Sequence, residues 1–457
     1  MTDTIDKKRA DYTEGSIFNS IIKMGLPSMF GFLAQHIYSM VDMYWVSRLP
    51  QQESGVAAIT FFSGILWLFF SFNQLVGPGS VAIISRRFGE KEYGKAEKAI
   101  KETLILKLFF GAVFGILGLF FARQMLQFIG AEGETLELGV SYGCIMFAGM
   151  AVMYATYSIF TGMRGVANPN MAMILMLGSN ALNMVLDPIF IFGYLGFPAL
   201  GIEGAAYASV LSYTLTFGIG LYLFYGGHTH VKLHLHGQDA VSVRSMWKIV
   251  KIGVPAWLGS MSFSGARLVI TRMVAPFGTA VVAAYGVGNQ VTALGIMLLV
   301  GIGLGLSSLI GHNLGAGKHD RAKKTADQAI LLGGGIMLLF GLAAFLFGRD
   351  IMSLFFEVES TIAFGTVMLK IFAVGFPFIG IFIMIEEIHL GVGLNTPAMV
   401  VNIVHSWGFE VLPIYLLTMV LAFDQTAIWW TISGSGIVAS AAFYIYYRRG
   451  RWLTIKV

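Results

Sequence analysis

The sequence has few charged residues and almost no cysteine. Only 12% of its 457 residues are Asp, Glu, Lys or Arg, whereas soluble domains carry roughly a quarter. Hydrophobic residues make up 56% of the chain. So large an excess of apolar surface requires lipid as solvent, which predicts a membrane protein. Cys144 is the only cysteine, which excludes an intrachain disulfide and a thiolate metal cluster.

The sequence predicts neither a cleavable signal sequence nor binding to nucleic acid. Residues 1–16 are polar, mix acidic with basic side chains and contain no apolar core, so the first span is expected to stay in the mature protein. The formal net charge is +5, but the Lys and Arg residues lie between hydrophobic runs and not on amphipathic or aromatic-spaced patches. We therefore interpret them as topology signals and expect the bilayer, and no nucleic acid, as a partner.

Long apolar runs predict membrane-spanning helices. A helix needs about 20 apolar residues to cross the hydrocarbon layer, and the short alternating segments of a transmembrane barrel do not occur. Twelve runs of sufficient length lie near 17–46, 55–84, 102–123, 137–162, 170–195, 203–225, 247–274, 280–311, 326–347, 360–388, 397–421 and 426–447.

The basic residues predict the orientation of these spans. An even number of spans places both termini on one side, and Lys and Arg concentrate in alternate loops and in the C-terminal tail. The positive-inside rule makes that side cytoplasmic, in the cell inner (plasma) membrane. The residues concerned are Arg86, Arg87, Lys91, Lys95, Lys98, Lys101, Lys318, Arg321, Lys323, Lys324, Arg448, Arg449, Arg451 and Lys456.

An internal repeat divides the chain into two halves. Residues 21–27 (IIKMGLP) recur as 249–255 (IVKIGVP) at an offset of 228, and Pro188-Ile189 recurs as Pro413-Ile414 at 225. This predicts an all-α membrane protein of two six-helix bundles related by a pseudo-two-fold axis along the membrane normal. The predicted parts are an N-terminal lobe (1–225), a cytoplasmic linker (226–244) and a C-terminal lobe (245–457). Two bundles that rock about a midplane cavity give alternating access.

Two acidic residues inside predicted spans are candidate functional groups, because ionisable side chains are costly in a bilayer. Asp42 and Asp187 are both expected roughly 26 Å from the inner boundary, at a rise of about 1.5 Å per residue. Spacings of three and four residues align each acid with polar neighbours on one helix face. Two such stripes predict a site for a proton or a sodium ion, and the alternative is an interhelical hydrogen-bond network. The neighbours are Gln35 and Tyr38 on span 1 and Asn180 and Asn183 on span 5.

The C-terminal half carries a different polar set. The repeat places Ile270 at the position of Asp42 and Leu412 at that of Asp187, so the acid pair is not conserved between the halves. We expect a structural network or a substrate lining, in which Arg267 pairs with Glu410, and the alternative is interfacial charge. The residues concerned are Arg267, Lys370, Glu386, Glu387, His405 and Glu410.

Two further features leave alternatives open. Pro27 lies inside span 1, where the loss of a backbone hydrogen bond predicts either a hinge or a static bend. Alternate histidines in the linker indicate either a metal-binding tract or a solvated segment. These histidines are His228, His230, His234 and His236.

Three motifs resemble those of the MATE (multidrug and toxic compound extrusion) family. VDMYWVSRL at 41–49 is similar to the family signature at the end of the first helix, and NMVLDPIFIFG at 183–193 resembles that of the fifth. GIEGAAYAS at 201–209 resembles the motif of the sixth helix, with Ser209 where many members have threonine. The resemblance extends over both halves and nearly the whole chain.

The resemblance implies a secondary active exporter that exchanges organic, often cationic and amphipathic compounds for H⁺ or Na⁺ and needs no cofactor. In the proton-coupled branch, the positions matching Gln35, Tyr38, Asp42, Asn183 and Asp187 belong to the site of the coupling cation; Asn180 and Ser209 are added here as its neighbours. We expect a monomer and no enzymatic activity. A lipid-linked oligosaccharide flippase of the same superfamily and a membrane-embedded enzyme are the alternatives.

Overall fold

The computed structural model describes residues 11–50, 52–234 and 240–455, and among these it contains helices and no β-strand. Helices are expected here because a backbone in lipid must satisfy its hydrogen bonds internally. The helices of the first half are α1 (Ile17–Val46), α2 (Gln52–Ser71), α3 (Gly77–Gly89), α4 (Tyr93–Phe128), α5 (Gly133–Ala148), α6 (Met150–Gly165), α7 (Pro169–Phe192) and α8 (Ile202–Tyr225).

The second half repeats this pattern with one irregular pass. A π-helical segment, Val404–Val411, follows α13, and a second one, Leu416–Val420, follows α14. Such segments have wider turns than an α-helix and are frequent at functional sites. The helices are α9 (Val243–Val274), α10 (Thr279–Gly315), α11 (His319–Ser353), α12 (Glu359–Val392), α13 (Thr396–Ile403), α14 (Leu412–Tyr415) and α15 (Thr426–Arg448).

Most of the predicted spans are found as helices of membrane length. Within the described ranges, ten helical segments are long and apolar enough to cross a bilayer, and the pair α5 and α6, bent by 52° between its two parts, makes an eleventh. Helix α9 is 32 residues long but is not among these apolar segments. The predicted span 1 has the same bounds as α1. The predicted span 2 is interrupted by a 3₁₀ turn at Phe72–Leu75.

The chain divides into two compact units, and the division falls inside two helices. Among the described residues, the first unit contains Tyr12 and Leu26–Gly253, and the second contains Thr13–Gly25 and Val254–Val457. Both boundaries within helices lie one residue before a proline, Pro27 in α1 and Pro255 in α9. The predicted lobes differ from these units at the starts of α1 and α9. The hinge at Pro27 stays a prediction.

Glycines at helix crossings explain why the starts of α1 and α9 belong to these units. In the second unit, a Cβ on Gly305 would lie 2.3 Å from the carbonyl oxygen of Met24 in α1. In the first unit, a Cβ on Gly79 would lie 2.1 Å from the carbonyl oxygen of Ile249 in α9. Only glycine lets backbones approach so closely. Gly79 and Gly305 are 226 residues apart, so the sequence repeat recurs in the packing.

The linker after α8 packs against other residues of the first unit, while His228 and His234 are exposed. Thr229, Val231 and Leu233 are buried, and Val231 and Leu233 join a hydrophobic cluster of this unit. The His234 backbone N–H donates to Glu97 Oε1 at 2.7 Å, and the His230 backbone N–H donates to an asparagine side chain at 2.8 Å. Apolar and polar residues alternate along this segment, and the apolar side chains are buried. Among described residues no group of three metal ligands occurs, and His236 lies outside those residues.

Candidate functional site

Asp42 on α1 and Asp187 on α7 lie next to each other inside the first unit. Their exposed fractions are 7% and 0%, and their carboxylates are close enough for their charges to interact. Both oxygens of Asp187 and Oδ1 of Asp42 are buried without a hydrogen-bond donor among the described residues. Buried acceptors without donors cost roughly 1–3 kcal/mol each, and more when they are charged. The pair is therefore poised to accept a cation or a proton.

Three of the other predicted residues surround this acidic pair. The side chain of Tyr38 on α1 lies beside Asp42, Asp187 and Ser209. Asn183 is 2% exposed, and its Nδ2 donates to Ser209 Oγ at 3.2 Å. The Asn183 Oδ1 is buried and accepts no hydrogen bond from the described residues. Hydroxyl and amide oxygens next to two carboxylates form an oxygen-rich environment of the kind that suits a proton or a hard cation.

Local packing at the end of α7 explains how Ser209 reaches this site. A Cβ on Gly204, near the start of α8, would lie 2.5 Å from the backbone carbon of Phe190. This glycine therefore brings the first turns of α8 directly onto the end of α7. Pro188 lies inside α7, directly after Asp187, and has no N–H to donate. Pro188 therefore leaves one backbone carbonyl of α7 without its usual N–H donor.

Gln35 and Asn180 lie farther along the same two helices, at a cavity. Each precedes its acid by seven residues, about 10 Å along the helix axis. Gln35 Nε2 donates to the Tyr157 hydroxyl, and Asn180 Nδ2 is buried without an acceptor among the described residues. The cavity has room for about one water molecule. Its lining residues are Gln35, Tyr157, Phe160, Met176, Ser179, Asn180 and Tyr213.

Three further tyrosines around the site, Tyr142, Tyr157 and Tyr213, were not predicted from the sequence. Tyr142 on α5 is 5% exposed and lies beside both Asp42 and Asp187. The rings of Tyr157 and Tyr213 stack with their centroids 6.4 Å apart at the cavity wall. Only the packing of α5, α6 and α8 brings these tyrosines to the site. Tyr142 borders the acidic pair, and Tyr157 and Tyr213 border the cavity.

In the second unit, the structure brings together some of the predicted polar residues. Glu410 is 2% exposed, and its Oε1 lies 3.5 Å from His405 Nε2. Arg267 interacts electrostatically with Glu410 and lies beside Tyr285. The Arg267 guanidinium also lies over the ring of Phe263, 5.1 Å from its centroid. Arg267 and Glu410 thus interact electrostatically, and their role in a structural network or a substrate lining stays a prediction.

The remaining predicted residues of this half lie in separate contacts. Asn402 Nδ2 donates to Glu386 Oε1 at 2.9 Å, and Ser307 Oγ donates to Glu387 Oε2 at 2.5 Å. Lys370 is exposed on α12, and its ammonium lies over an aromatic ring of α11. The six residues therefore form several small groups in the structure, and Lys370 lies apart from Arg267 and Glu410.

Comparison with known proteins assigns the chain to a family. The MatE family model matches residues 27–189 and 255–416, which is most of the chain and one segment in each half. The chain belongs to the MatE family. The two matched segments correspond to the internal repeat, and the first contains both Asp42 and Asp187.

Relatives of the chain include bacterial proteins of similar length. A probable multidrug resistance protein, YoeA of Bacillus subtilis, is 26% identical over 443 residues, covering 95% of this chain and 94% of the relative. The multidrug export protein MepA of Staphylococcus aureus is 25% identical over 459 residues, covering 98% of each.

Solved structures of MatE-family and related transporters share the fold. A crystal structure of a MATE protein in complex with MaL6 has a TM-score of 0.86 at 25% identity and covers 96% of this chain and 97% of that one. A MOP-superfamily transporter from Pyrococcus furiosus has a TM-score of 0.88 at 24% identity and covers 98% of this chain and 100% of that one.

The family assignment settles the class of this protein. The chain is a multi-pass membrane transporter and not an enzyme. The predicted all-α fold of two lobes and twelve membrane helices is confirmed. MatE transporters need no cofactor, in agreement with the expectation from the sequence.

Proposed function

We propose that this MatE protein exports small organic compounds in exchange for H⁺ or Na⁺, and that Asp42 and Asp187 bind the exchanged cation. The observation that carries the proposal is a pair of adjacent buried carboxylates with unsatisfied oxygens. The groups that interact with these acids are tyrosines and an asparagine, which bring no positive charge.

Charge repulsion within the pair is the source of the coupling. Two ionised carboxylates in a site with little water repel each other strongly. A proton or a sodium ion removes this repulsion and supplies the missing hydrogen-bond or ligand partners. Because Asp42 lies on α1 and Asp187 on α7, occupancy changes how these two helices pack. We propose that Gln35, Tyr38, Asn180, Asn183 and Ser209 complete the cation site and its approach.

Export requires that cation binding shifts the equilibrium between two conformations. A ligand shifts such an equilibrium only by its difference in affinity for the two states. The cation would therefore favour the conformation with low affinity for the organic substrate, and release of the substrate would follow. The two halves, acting by alternating access in a single chain, would supply these conformations. A monomer suffices because one chain contains both halves.

The substrate class follows from the relatives and from the charge of the site. YoeA and MepA are described as multidrug proteins, a probable resistance protein and an export protein. A buried pair of negative charges attracts cations, so amphipathic organic cations are the substrates that we propose. The relatives favour this function over the flipping of lipid-linked oligosaccharides.

A transport assay in vesicles tests the function directly. Purified protein in liposomes loaded with a cationic dye is given an inward gradient of H⁺ or of Na⁺, imposed separately. We expect one of the two gradients to drive dye out of the vesicles against its own gradient. Dye movement that does not depend on either ion gradient would contradict the antiport mechanism. Movement of a lipid-linked oligosaccharide in place of the dye would favour the flippase.

Topology gives a further prediction. We propose that both termini and the basic loops face the cytoplasm, because Lys and Arg concentrate there. Cysteines introduced at Lys95 and at Lys323 in a Cys144→Ala chain are expected to resist an impermeant thiol reagent in intact cells and to react after permeabilisation. A cysteine at Glu357, in a loop of the opposite parity, is the matched control and is expected to react in intact cells. Labelling with the reverse pattern would invert the orientation.

A further inference from the structure

The internal repeat shows where the second unit would carry its own acidic pair. By the offsets of 228 and 225, Ile270 in α9 corresponds to Asp42, and Leu412 in α14 corresponds to Asp187. Neither residue is ionisable. Charged residues nevertheless lie within one turn of both positions, since Arg267 precedes Ile270 by three residues and Glu410 precedes Leu412 by two.

Helix α9, which carries Arg267, packs against the π-helical segment that carries Glu410, and Trp407 Nε1 of that segment donates to Ser262 Oγ of α9 at 2.9 Å. Glu410 is buried on the π-helical segment Val404–Val411, and it interacts electrostatically with Arg267 of α9. His405 lies on the same segment, with its Nε2 3.5 Å from Glu410 Oε1 and 3.2 Å from Ser435 Oγ. Residues five apart stack on one face of a π-helix, which explains why His405 and Glu410 meet.

Arg267 and Glu410 each have one buried polar atom that forms no hydrogen bond with the described residues. Arg267 Nη1 and Glu410 Oε2 are buried and have no hydrogen-bond partner in the part of the chain that the structure describes. The Tyr285 hydroxyl is buried and lies beside Arg267. Removing one member of a buried pair of opposite charges leaves the other charge uncompensated, which destabilises the fold. Each charge therefore depends on the other.

The two units differ in their net charge at corresponding positions. In the first unit, Asp42 and Asp187 are surrounded by neutral groups, so the ionised pair has no compensating side chain. In the second unit, the positive charge of Arg267 compensates the negative charge of Glu410. The charge of the Asp42–Asp187 pair is reduced only when a mobile cation binds. The Arg267–Glu410 pair already contains a positive charge, which is part of the protein.

We propose that Arg267 is a tethered counter-ion, which occupies in the second unit the role that the mobile cation has at Asp42 and Asp187. The second unit then stays permanently in the charge-compensated state, and cation exchange is confined to the first unit. Arg267 is thus a positioning residue that prevents Glu410 from binding a cation. The proposal rests on the proposed function, because it takes Asp42 and Asp187 as the site of the exchanged cation.

Removal of Arg267 should convert Glu410 into a new cation site. The test uses Asp42→Asn/Asp187→Asn protein, in which the acids of the first unit no longer bind an ion, and adds Arg267→Met. The thermal unfolding temperature of purified protein in detergent is measured with and without Na⁺, and in mildly acidic and mildly alkaline buffer. Among the described residues, Arg267 and His405 interact with Glu410, and Tyr285 lies beside Arg267.

We expect the Asp42→Asn/Asp187→Asn protein to show little dependence on either ion. Addition of Arg267→Met should make the unfolding temperature rise by several degrees with Na⁺ or with acid, since a ligand that binds only the native state stabilises it. Addition of Glu410→Gln should abolish this dependence. Two controls should leave the ion response unchanged: Arg267→Lys, which keeps the charge, and Arg272→Met, which removes an exposed arginine from the same helix.

The outcomes test the proposed function and the counter-ion proposal separately. An ion dependence that persists in the Asp42→Asn/Asp187→Asn protein contradicts the proposed function, while the increments from Arg267→Met and Glu410→Gln still test the tethered counter-ion. The counter-ion proposal is wrong if Arg267→Met does not make the unfolding temperature depend on Na⁺ or on pH. It is also wrong if Glu410→Gln does not remove such a dependence. If Arg267→Met protein does not fold, recovery of folded protein by the further change Glu410→Gln supports the proposal, and failure of that recovery overturns it.

Discussion

Asp42→Asn and Asp187→Asn proteins should reach the membrane at normal abundance and lose gradient-driven export down to the background of empty vesicles. Asparagine preserves the size and much of the hydrogen bonding of aspartate, but it cannot bind a proton or compensate a cation. Both acids are buried and interact with each other, so the loss of either leaves one carboxylate without the partner on which coupling depends. The measurement is dye efflux from proteoliposomes under an imposed H⁺ or Na⁺ gradient.

The thermal stability of these variants separates coupling from a structural role. Removing one of two repelling carboxylates relieves repulsion, so the purified variants should unfold at the same or a higher temperature than the parent protein. Glu137→Gln is the matched control, because Glu137 is exposed on α5 and forms an ion pair with Arg123 at 2.7 Å. It should leave export unchanged. Uphill efflux by either aspartate variant at normal abundance would show that this acid is not required for coupling.

Gly380→Ala should destabilise the second unit more than most single substitutions. A Cβ on Gly380 in α12 would lie 2.3 Å from the carbonyl oxygen of Gly333 in α11. The two backbones must separate to admit even a methyl group, and overpacking of this kind costs about 1–3 kcal/mol. We expect a lower yield of monodisperse protein and a fall of several degrees in the unfolding temperature.

Gly335→Ala tests whether the effect comes from this close approach and not from the loss of a glycine in general. Gly335 lies on the same helix as Gly333, and a Cβ there would have no neighbouring atom within 4 Å. Alanine is also the better helix former, so Gly335→Ala should be neutral or slightly stabilising. Equal losses in the Gly380 and Gly335 variants would mean that the α11–α12 crossing is not as tight as the structure shows.

Helix identity and length were largely predictable, whereas breaks within helices were not. Span 1 was predicted at 17–46, the bounds of α1, since the change from polar to apolar residues is sharp at both ends. The bend of 52° between α5 and α6 was not predicted. Hydrophobicity reports which residues prefer lipid, and it is the same on either side of a bend.

The candidate site was predictable in part for a related reason. Gln35, Tyr38 and Asp42 are spaced to share a face of α1, and Asn183 and Asp187 share a face of α7, because these relations depend only on spacing along one helix. That the two faces meet depends on the packing of different helices. The structure shows the carboxylates in electrostatic contact, and it adds Tyr142 of α5, which no local pattern indicated.

The sequence by itself determined that the chain lies in lipid, that it is helical and that it has an internal two-fold repeat. Composition and periodicity are properties of the linear chain and need no knowledge of its packing. The tertiary structure alone decided which helices touch. Gly305 lies against the backbone at Met24, and Gly79 against that at Ile249, so the start of α1 belongs to the second unit and the start of α9 to the first. The physical reason is that a glycine permits a close approach without specifying a partner, and the partner is set by the shape of the surrounding helices.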